Sequence, residues 1–236
     1  PGHGSDDFLT GLKYGLEIYA PIGPGGHFLD SVGLFGGQRV FDANPKVEQA
    51  LADRGRLWHR ETVSHQYPHC WRCHNPVIFL ATSQWFVRMD GAAAVACEDG
   101  ESRTLRDAAR HAIDHQVKWI PSWGRDRIFN MVTNRPDWCI SRQRAWGVPI
   151  PAVDCTSCRE AVLTPELIER AADIFEQHSA DAWYERPIEE FLPPGLTCPS
   201  CGGKTFERER DILDVWFDSG SSHEAVLPRY DQLTWP

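Results

Sequence analysis

Two C-x2-C pairs, Cys155-Thr156-Ser157-Cys158 and Cys198-Pro199-Ser200-Cys201, constrain this chain more than any other feature. Two such knuckles can supply four thiolates in a tetrahedral array to one zinc ion. The stretch 159–197 between them is longer than a minimal zinc ribbon, and a predicted helix after Thr164-Pro165 would fill it, with Leu167, Ile168, Ala171, Ile174 and Phe175 as its apolar stripe. Gly202-Gly203 gives the second knuckle the freedom a tight turn needs. Four reduced thiols that hold nothing are the alternative. A redox pair is disfavoured, because neither knuckle sits in a thioredoxin-like βαβ context. A closed four-thiolate site leaves no position for water, so such a zinc would be structural.

Six of the eight cysteines fall in C-x2-C pairs, which argues for metal ligation over disulfides. The third pair, Cys70-Trp71-Arg72-Cys73, is half a site; His69 and His74 could complete it only with crowding, and a knuckle that binds no metal stands beside the metal reading. Cys97 and Cys139 have no visible partner and read as small buried hydrophobes.

An apolar content of 42% supports packed cores, and a net charge of −9 gives no global basic field, so a polyanion would have to meet local patches. No apolar run reaches membrane-spanning length, and the expected setting is cytoplasmic. The opening Pro1 and the ending at Pro236 read as an internal piece of something larger. Residues 8–65 read as a mixed, β-rich segment with a turn at Pro21-Ile22-Gly23-Pro24-Gly25-Gly26. One helix is predicted between Asn44 as cap and Gly55 as stop, with Pro45 at its first position. Phe79 to Val87 reads as a strand, 91–117 as a helical linker, Gly124 to Thr133 as a short helix and Gly147 to Val153 as a strand. Ile212-Leu213-Asp214-Val215-Trp216-Phe217 reads as a buried strand, followed by a loop at Asp218-Ser219-Gly220, where open α/β sheets place ligands.

The run Arg135-Pro136-Asp137-Trp138-Cys139-Ile140-Ser141-Arg142-Gln143-Arg144-Ala145-Trp146-Gly147 sets three Arg beside two Trp without helical or strand period. Such pairings suit stacking and phosphate or carboxylate recognition. Together with Asp214-Val215-Trp216-Phe217-Asp218-Ser219-Gly220, it strongly resembles the isoleucyl-tRNA synthetases of class I, over nearly the whole chain. The resemblance implies an α/β fold: part of a Rossmann-type synthetase core, the tail of a β-rich editing domain and a small zinc-binding insertion. It divides the chain into 1–68 (editing domain), 69–123 (zinc knuckle and connector), 124–153 (return into the catalytic core), 154–210 (zinc-binding insertion) and 211–236 (core strand and loop).

By the same resemblance, Asp7 in Gly2-His3-Gly4-Ser5-Asp6-Asp7 matches the editing-site aspartate that receives the ammonium group of a mischarged amino acid. Binding alone separates substrates differing by one methylene only ~10–200-fold, and isoleucine against valine is the standard illustration of that limit. From local sequence, Asp6-Asp7 after Gly is a turn or helix cap. Trp216 matches the wall of the isoleucine pocket, with a core Trp as the alternative; Asp218 and Ser219 would line the same cleft, and Asp214 holds structure. Arg135, Arg142 and Arg144 either meet tRNA or pair with Asp137 and other local carboxylates. Cys70 and Cys73 match half of a second zinc site whose partner pair lies earlier in the family's chains.

The implied function is that of a monomeric enzyme: ATP- and Mg2+-dependent activation of isoleucine, transfer to tRNA and hydrolysis of valyl errors. The two ATP-binding motifs of the class do not occur in these residues, so the piece by itself should not activate an amino acid. A valyl- or leucyl-type synthetase is the nearest rival; Trp216 to Gly220, the Cys70–Cys73 knuckle and Arg142 to Gly147 favour the isoleucyl type. A non-catalytic zinc-ribbon interaction module would explain the cysteines but not the Arg/Trp run. A stand-alone tRNA deacylase fits less, since little of an editing site is present.

Overall fold

The computed structural model describes residues 1–92 and 95–233; the expectations for residues 93–94 of the linker and 234–236 of the last segment lie outside the described residues. The chain divides into two compact units, Pro1–Ser83 and Gln84–Pro236.

In the first unit, helix α1 (Ser5–Tyr14) carries Asp6 and Asp7 in its first turn, where acidic groups favour the helix dipole. Gly15, at φ 63°, ends it: its N–H reaches Leu12 O and Leu16 N–H reaches Gly11 O, the pairing that satisfies orphan carbonyls at a helix end. The turn expected at 21–26 forms, closed by Gly23 N–H to His27 O at 2.9 Å and by a bridge between Ile22 and Phe28. Helix α2 (Val40–Asp53) starts earlier than predicted, so Pro45 lies inside it and Asn44 does not cap it. Pro45 is the sixth residue of the helix and has no N–H to give Phe41, so α2 forgoes one backbone hydrogen bond there. The β-rich expectation for 8–65 is corrected: among the described residues this stretch holds two helices and isolated bridges rather than strands.

The second unit follows in order: β1 (Phe86–Val87), β2 (Val95–Ala96), β3 (Ser102–Arg103), α3 (Leu105–His115), α4 (Trp123–Asn134), β4 (Trp138–Cys139) and β5 (Ser141–Arg142). Then come β6 (Val153–Cys155), β7 (Ala161–Val162), α5 (Pro165–His178), α6 (Ala182–Glu185), β8 (Phe206–Arg208), β9 (Ile212–Leu213) and α7 (Val215–Val226). Four small sheets result: β1 with β4, β2 with β3, β5 with β9, and a three-stranded β7-β6-β8, every described pairing antiparallel.

The short helix α4 stands where expected. The linker is helical only in its second half, because β2 and β3 form a hairpin before Thr104 caps α3 through Asp107 N–H. The strands expected at 79–87 and 147–153 shrink to Phe86–Val87 and to the start of β6; before β6 only Pro149 bridges, to Ile212. The predicted strand Ile212–Phe217 is also corrected. Only Ile212 and Leu213 pair; Asp214 then accepts Trp216 N–H at 3.2 Å and starts α7, so Asp218 and Ser219 are helical rather than on a loop.

The principal core lies in residues 153–208. Val153, Leu167, Ala171, Trp183, Phe191 and Phe206 are buried together, with Cys155 and Cys198 in the same cluster. Trp183 meets Phe191 edge-on at 4.8 Å between ring centroids, and its Nε1–H donates to Glu209 O at 2.9 Å, so the buried indole has no unsatisfied donor. Leu167, Ala171, Ile174 and Phe175 of the α5 stripe face this core while Ile168 is exposed, and Thr164 Oγ1 caps the helix by accepting Leu167 N–H. Among the described residues, no helix is long and apolar enough to cross a membrane.

Candidate functional site

The two knuckles meet as the spacing predicts. Sheet β7-β6-β8 sets Cys155 at the end of its central strand, opposite Phe206, and the loop after Leu196 returns Cys198 and Cys201 beside it. Cys155 Sγ is 3.6 Å from Cys201 Sγ, Cys158 Sγ is 3.5 Å from Cys198 Sγ, and all four sulfurs lie within 4.8 Å of one another. Four ligands about 2.3 Å from one ion would stand about 3.8 Å apart, so the cluster fits a tetrahedral metal with little adjustment. Among the described residues these four form the one group of three or more potential ligands able to hold a metal ion.

Both knuckles share one backbone scheme. Cys155 N–H donates to Glu160 O and Arg159 N–H to Cys155 O; Cys198 N–H donates to Gly203 O and Gly202 N–H to Cys198 O. Arg159 and Gly202 hold matching left-handed conformations, φ 64° and 72°. Gly203 leaves room for the sulfurs: a Cβ there would stand 3.0 Å from Cys155 Sγ and 3.3 Å from Cys201 Sγ.

Crowding sets the acidities. The Cys158 N–H lowers the Cys155 thiol, burial opposes it, and the Ser157 N–H with the neighbouring thiols carries the balance down to about 6. For Cys158 the Glu160 N–H also pulls downward, but the Cys201 thiol, burial, Cys198 and Cys155 outweigh it and push the group up to about 12. One thiolate is favoured and resists the next. A divalent cation removes that conflict, since coordination deprotonates thiols outright.

Cys70 and Cys73 repeat the scheme in the first unit: Cys70 N–H donates to Asn75 O, His74 N–H to Cys70 O, both at 2.8 Å, and His74 adopts φ 58°. The N–H groups of Cys73 and Arg72 hold the Cys70 thiol below its ordinary range. His69 Nδ1 lies 2.8 Å from Tyr67 O, and no third ligand joins Cys70 and Cys73 among the described residues.

Asp7 stands exposed in the first turn of α1. Nearby, His3 Nδ1 lies 2.9 Å from Phe79 O, while His3 Nε2 is buried without a partner among the described residues. In the second unit a cavity of about 750 Å3 brings together Arg142, Arg144, Trp146, Tyr184, Asp214 and Asp218. Burial, then the charge of Asp214, raises the Asp218 carboxyl above its ordinary range. Arg142 Nη2 donates to Asp214 Oδ2 at 2.7 Å, so this arginine meets a carboxylate distant in sequence rather than the local one expected. Asp137 is not that partner; it accepts Met89 N–H at 2.8 Å. Arg135 stacks over the Trp138 ring at 5.8 Å. Trp216 is 72% exposed in the first turn of α7 and does not line the cavity, and Ser219 Oγ is spent on Trp216 O.

Sequence reasoning missed how the Arg/Trp run is held. Gln84 Oε1 accepts Ser141 Oγ–H at 2.8 Å, Ser141 Oγ accepts Trp85 N–H at 2.9 Å, and Gln143 Nε2 donates to Asp211 Oδ2 at 2.7 Å. Partners this far apart in the chain leave no local signature. Tyr184 and Arg208, which border the same region, gave none either.

The chain belongs to the family described as tRNA synthetases class I (I, L, M and V), which matches residues 27–234. Within it, the chain is similar to isoleucine--tRNA ligases. It is 49% identical to that of Syntrophotalea carbinolica across all of this chain and 24% of the relative. It is 51% identical to that of Persephonella marina across all of this chain and 25% of the relative, and 50% identical to that of Syntrophomonas wolfei across all of this chain and 24% of the relative. The chain therefore spans about a quarter of the length of these curated relatives.

Proposed function

We propose that this chain serves in an isoleucine--tRNA ligase that uses ATP and Mg2+ to activate isoleucine, transfers it to tRNA and hydrolyses mischarged valyl-tRNA. The observation that carries this reading is about 50% identity to isoleucine--tRNA ligases over every residue of the chain. On this reading a Rossmann-type core accounts for the return of the chain through the Arg/Trp run, and the protein is a cytoplasmic monomer.

Zinc is the metal that four thiolates at these spacings favour, and Cys155, Cys158, Cys198 and Cys201 would hold it in a closed, structural site. Its chemistry there is to fix the fold of residues 153–208 rather than to activate water. Cys70 and Cys73, preshaped in the same scheme, would supply half of a second site. Asp7 would hold the α-ammonium of a mischarged residue for editing, an exposed carboxylate suiting that ion. Trp216 offers an open aromatic face to an aliphatic side chain, with Asp218 and Ser219 beside it on α7. Arg135, Arg142 and Arg144 would meet tRNA, Arg142 while still paired with Asp214.

Amino-acid-dependent ATP–pyrophosphate exchange by the full-length protein carrying this chain tests the reading. The expected result is the highest kcat/KM with isoleucine, and a separate deacylation assay is expected to show hydrolysis of valyl-tRNA. Highest activity with valine or leucine would replace the isoleucyl assignment, and no exchange with any of the three would end the synthetase reading.

A further inference from the structure

The four sulfurs of the cluster include two close pairs, and both pairs cross from one knuckle to the other. Cys155 Sγ lies 3.6 Å from Cys201 Sγ and Cys158 Sγ lies 3.5 Å from Cys198 Sγ, the partners standing 46 and 40 positions apart in the chain. Each pair joins a buried sulfur to an exposed one: Cys155 and Cys198 are buried, Cys158 and Cys201 exposed. A disulfide bond is about 2.05 Å long, so each pair stands within about 1.6 Å of bonding distance. A small oxidant reaches the exposed sulfur first, and the buried one waits beside it. Redox-responsive cysteines share this arrangement of an accessible thiolate next to a resolving cysteine. The pairing differs from a redox C-x-x-C, which would join cysteines within one knuckle.

The backbone keeps the two knuckles opposed without help from the sulfurs. Thr156 N–H donates to Thr205 O at 3.1 Å, joining the first knuckle to the residue that leads into β8. Cys155 N–H to Glu160 O and Cys198 N–H to Gly203 O, at 2.9 and 2.8 Å, close each knuckle on itself. Gly203 leaves the space beside Cys155 and Cys201 open, where a Cβ would stand 3.0 and 3.3 Å from their sulfurs.

We infer that the four cysteines form a peroxide-responsive switch, in which the disulfides Cys155–Cys201 and Cys158–Cys198 close as the metal ion is released. The inference rests on the metal reading of the cluster. In each pair the exposed thiolate attacks one peroxide oxygen. The O–O bond breaks, and with one proton the products are a sulfenic acid and water. The buried thiolate then attacks that sulfur, the S–S bond forms, and the hydroxyl leaves with a second proton as water. Per pair, two thiolates, one hydrogen peroxide and two protons give one disulfide and two waters; the sulfurs lose two electrons and the peroxide gains them. Thiolate is the form that ligates a metal, so the ion leaves as its ligands are oxidised. A dithiol reductant, itself oxidised to a disulfide, returns both thiols of a pair. Cross-links that close long loops restrict the unfolded chain most, so the oxidised form keeps residues 153–208 folded without the ion.

The test treats the full-length protein carrying this chain with hydrogen peroxide. Three readouts follow: a chromophoric zinc chelator, peptide mapping without reduction, and amide exchange. Protection of the four thiols from alkylation before treatment reports the ion held here. Loss of that ion is expected in step with disulfide formation, with Cys155–Cys201 and Cys158–Cys198 in at least about tenfold excess over pairs within a knuckle. Dithiothreitol and added zinc are expected to restore the protected thiols. Amides of β6, β7 and β8 are expected to exchange slowly in the oxidised protein and faster in reduced, chelated protein. Disulfides within the knuckles, sulfinic or sulfonic acids without disulfide, or an ion retained over four intact thiols would each overturn the inference and leave the metal reading standing. Four thiols unprotected before treatment overturn the metal reading and the inference with it.

Discussion

At the scale of single residues, Gly203 and Gly202 are adjacent and do different work. A Cβ at Gly203 would enter the sulfur cluster, 3.0 Å from Cys155 Sγ, while at Gly202 it would meet nothing within 4 Å but would sit at φ 72°. Gly203→Ala should therefore push the sulfurs off their tetrahedron and lower metal affinity by about ten- to a hundredfold, as disturbed ligand surroundings do. Gly202→Ala should cost about 1 kcal/mol of backbone strain and leave the affinity nearly unchanged. Competition against a chromophoric chelator reads both. Equal affinities for Gly203→Ala and the unaltered protein would mean that the cluster does not ligate a metal in the arrangement seen. Arg159 shows that the left-handed position itself tolerates a side chain, since it fills it in the first knuckle at φ 64°.

At the scale of elements, Asp214 decides where β9 stops and α7 begins. Its carboxylate caps Trp216 N–H through Oδ1 and pairs with Arg142 through Oδ2, with the side chain 7% exposed. Asp214→Asn keeps an acceptor for the cap and loses the charge; Asp214→Ala loses both. The cap is worth about 1 kcal/mol, and the ion pair, with Arg142 43% exposed, adds up to about 1 kcal/mol after screening. Amide exchange over the first turn of α7 should be fastest in Asp214→Ala and intermediate in Asp214→Asn. Exchange as slow as in the unaltered protein in both variants would deny Asp214 this role.

The same residue shows what sequence can and cannot disclose. Helix α5 was legible because its cap, its first-position proline and its stripe all lie within one short stretch. Ile212 to Phe217 was misread because an apolar run looks alike in a buried strand and a helix start. What divides it is an aspartate whose second partner, Arg142, lies far away in sequence. The early start of α2 was hidden for a related reason: Pro45 signals a first position, yet the chain places it more than one turn into the helix. Of the candidate site, the four cysteines were fully legible from spacing, whereas the network of Gln84, Ser141 and Gln143 arises only when distant segments meet.

At the scale of the whole molecule, the sulfur cluster and the largest apolar core are one structure. Cys155 and Cys198 are buried in the same cluster as Trp183, Phe191 and Leu167, so a metal held there ties β6 and the 198–203 knuckle to the helices around that core. Elsewhere in the second unit, α3 and α4 are held by other means: Trp119 Nε1–H donates to Ile113 O at 2.8 Å, and Arg110 and Arg125 lie over the Phe129 ring at 4.9 and 4.8 Å. Metal removal should therefore act regionally. A ligand that binds the folded state alone, at free concentration L, stabilises it by RT ln(1 + L/Kd), and for structural zinc that contribution is large. After chelation of the full-length protein, amides of β6, β7 and β8 should exchange faster while those of α3 and α4 keep their rates. Thiol labelling followed by peptide mapping should show Cys155, Cys158, Cys198 and Cys201 protected before chelation and reactive after it. Exposure alone would make only Cys158 and Cys201 reactive, because Cys155 and Cys198 are buried. Labelling of just those two in the untreated protein, unchanged by chelator and without metal release, would show that packing rather than coordination holds the knuckles together.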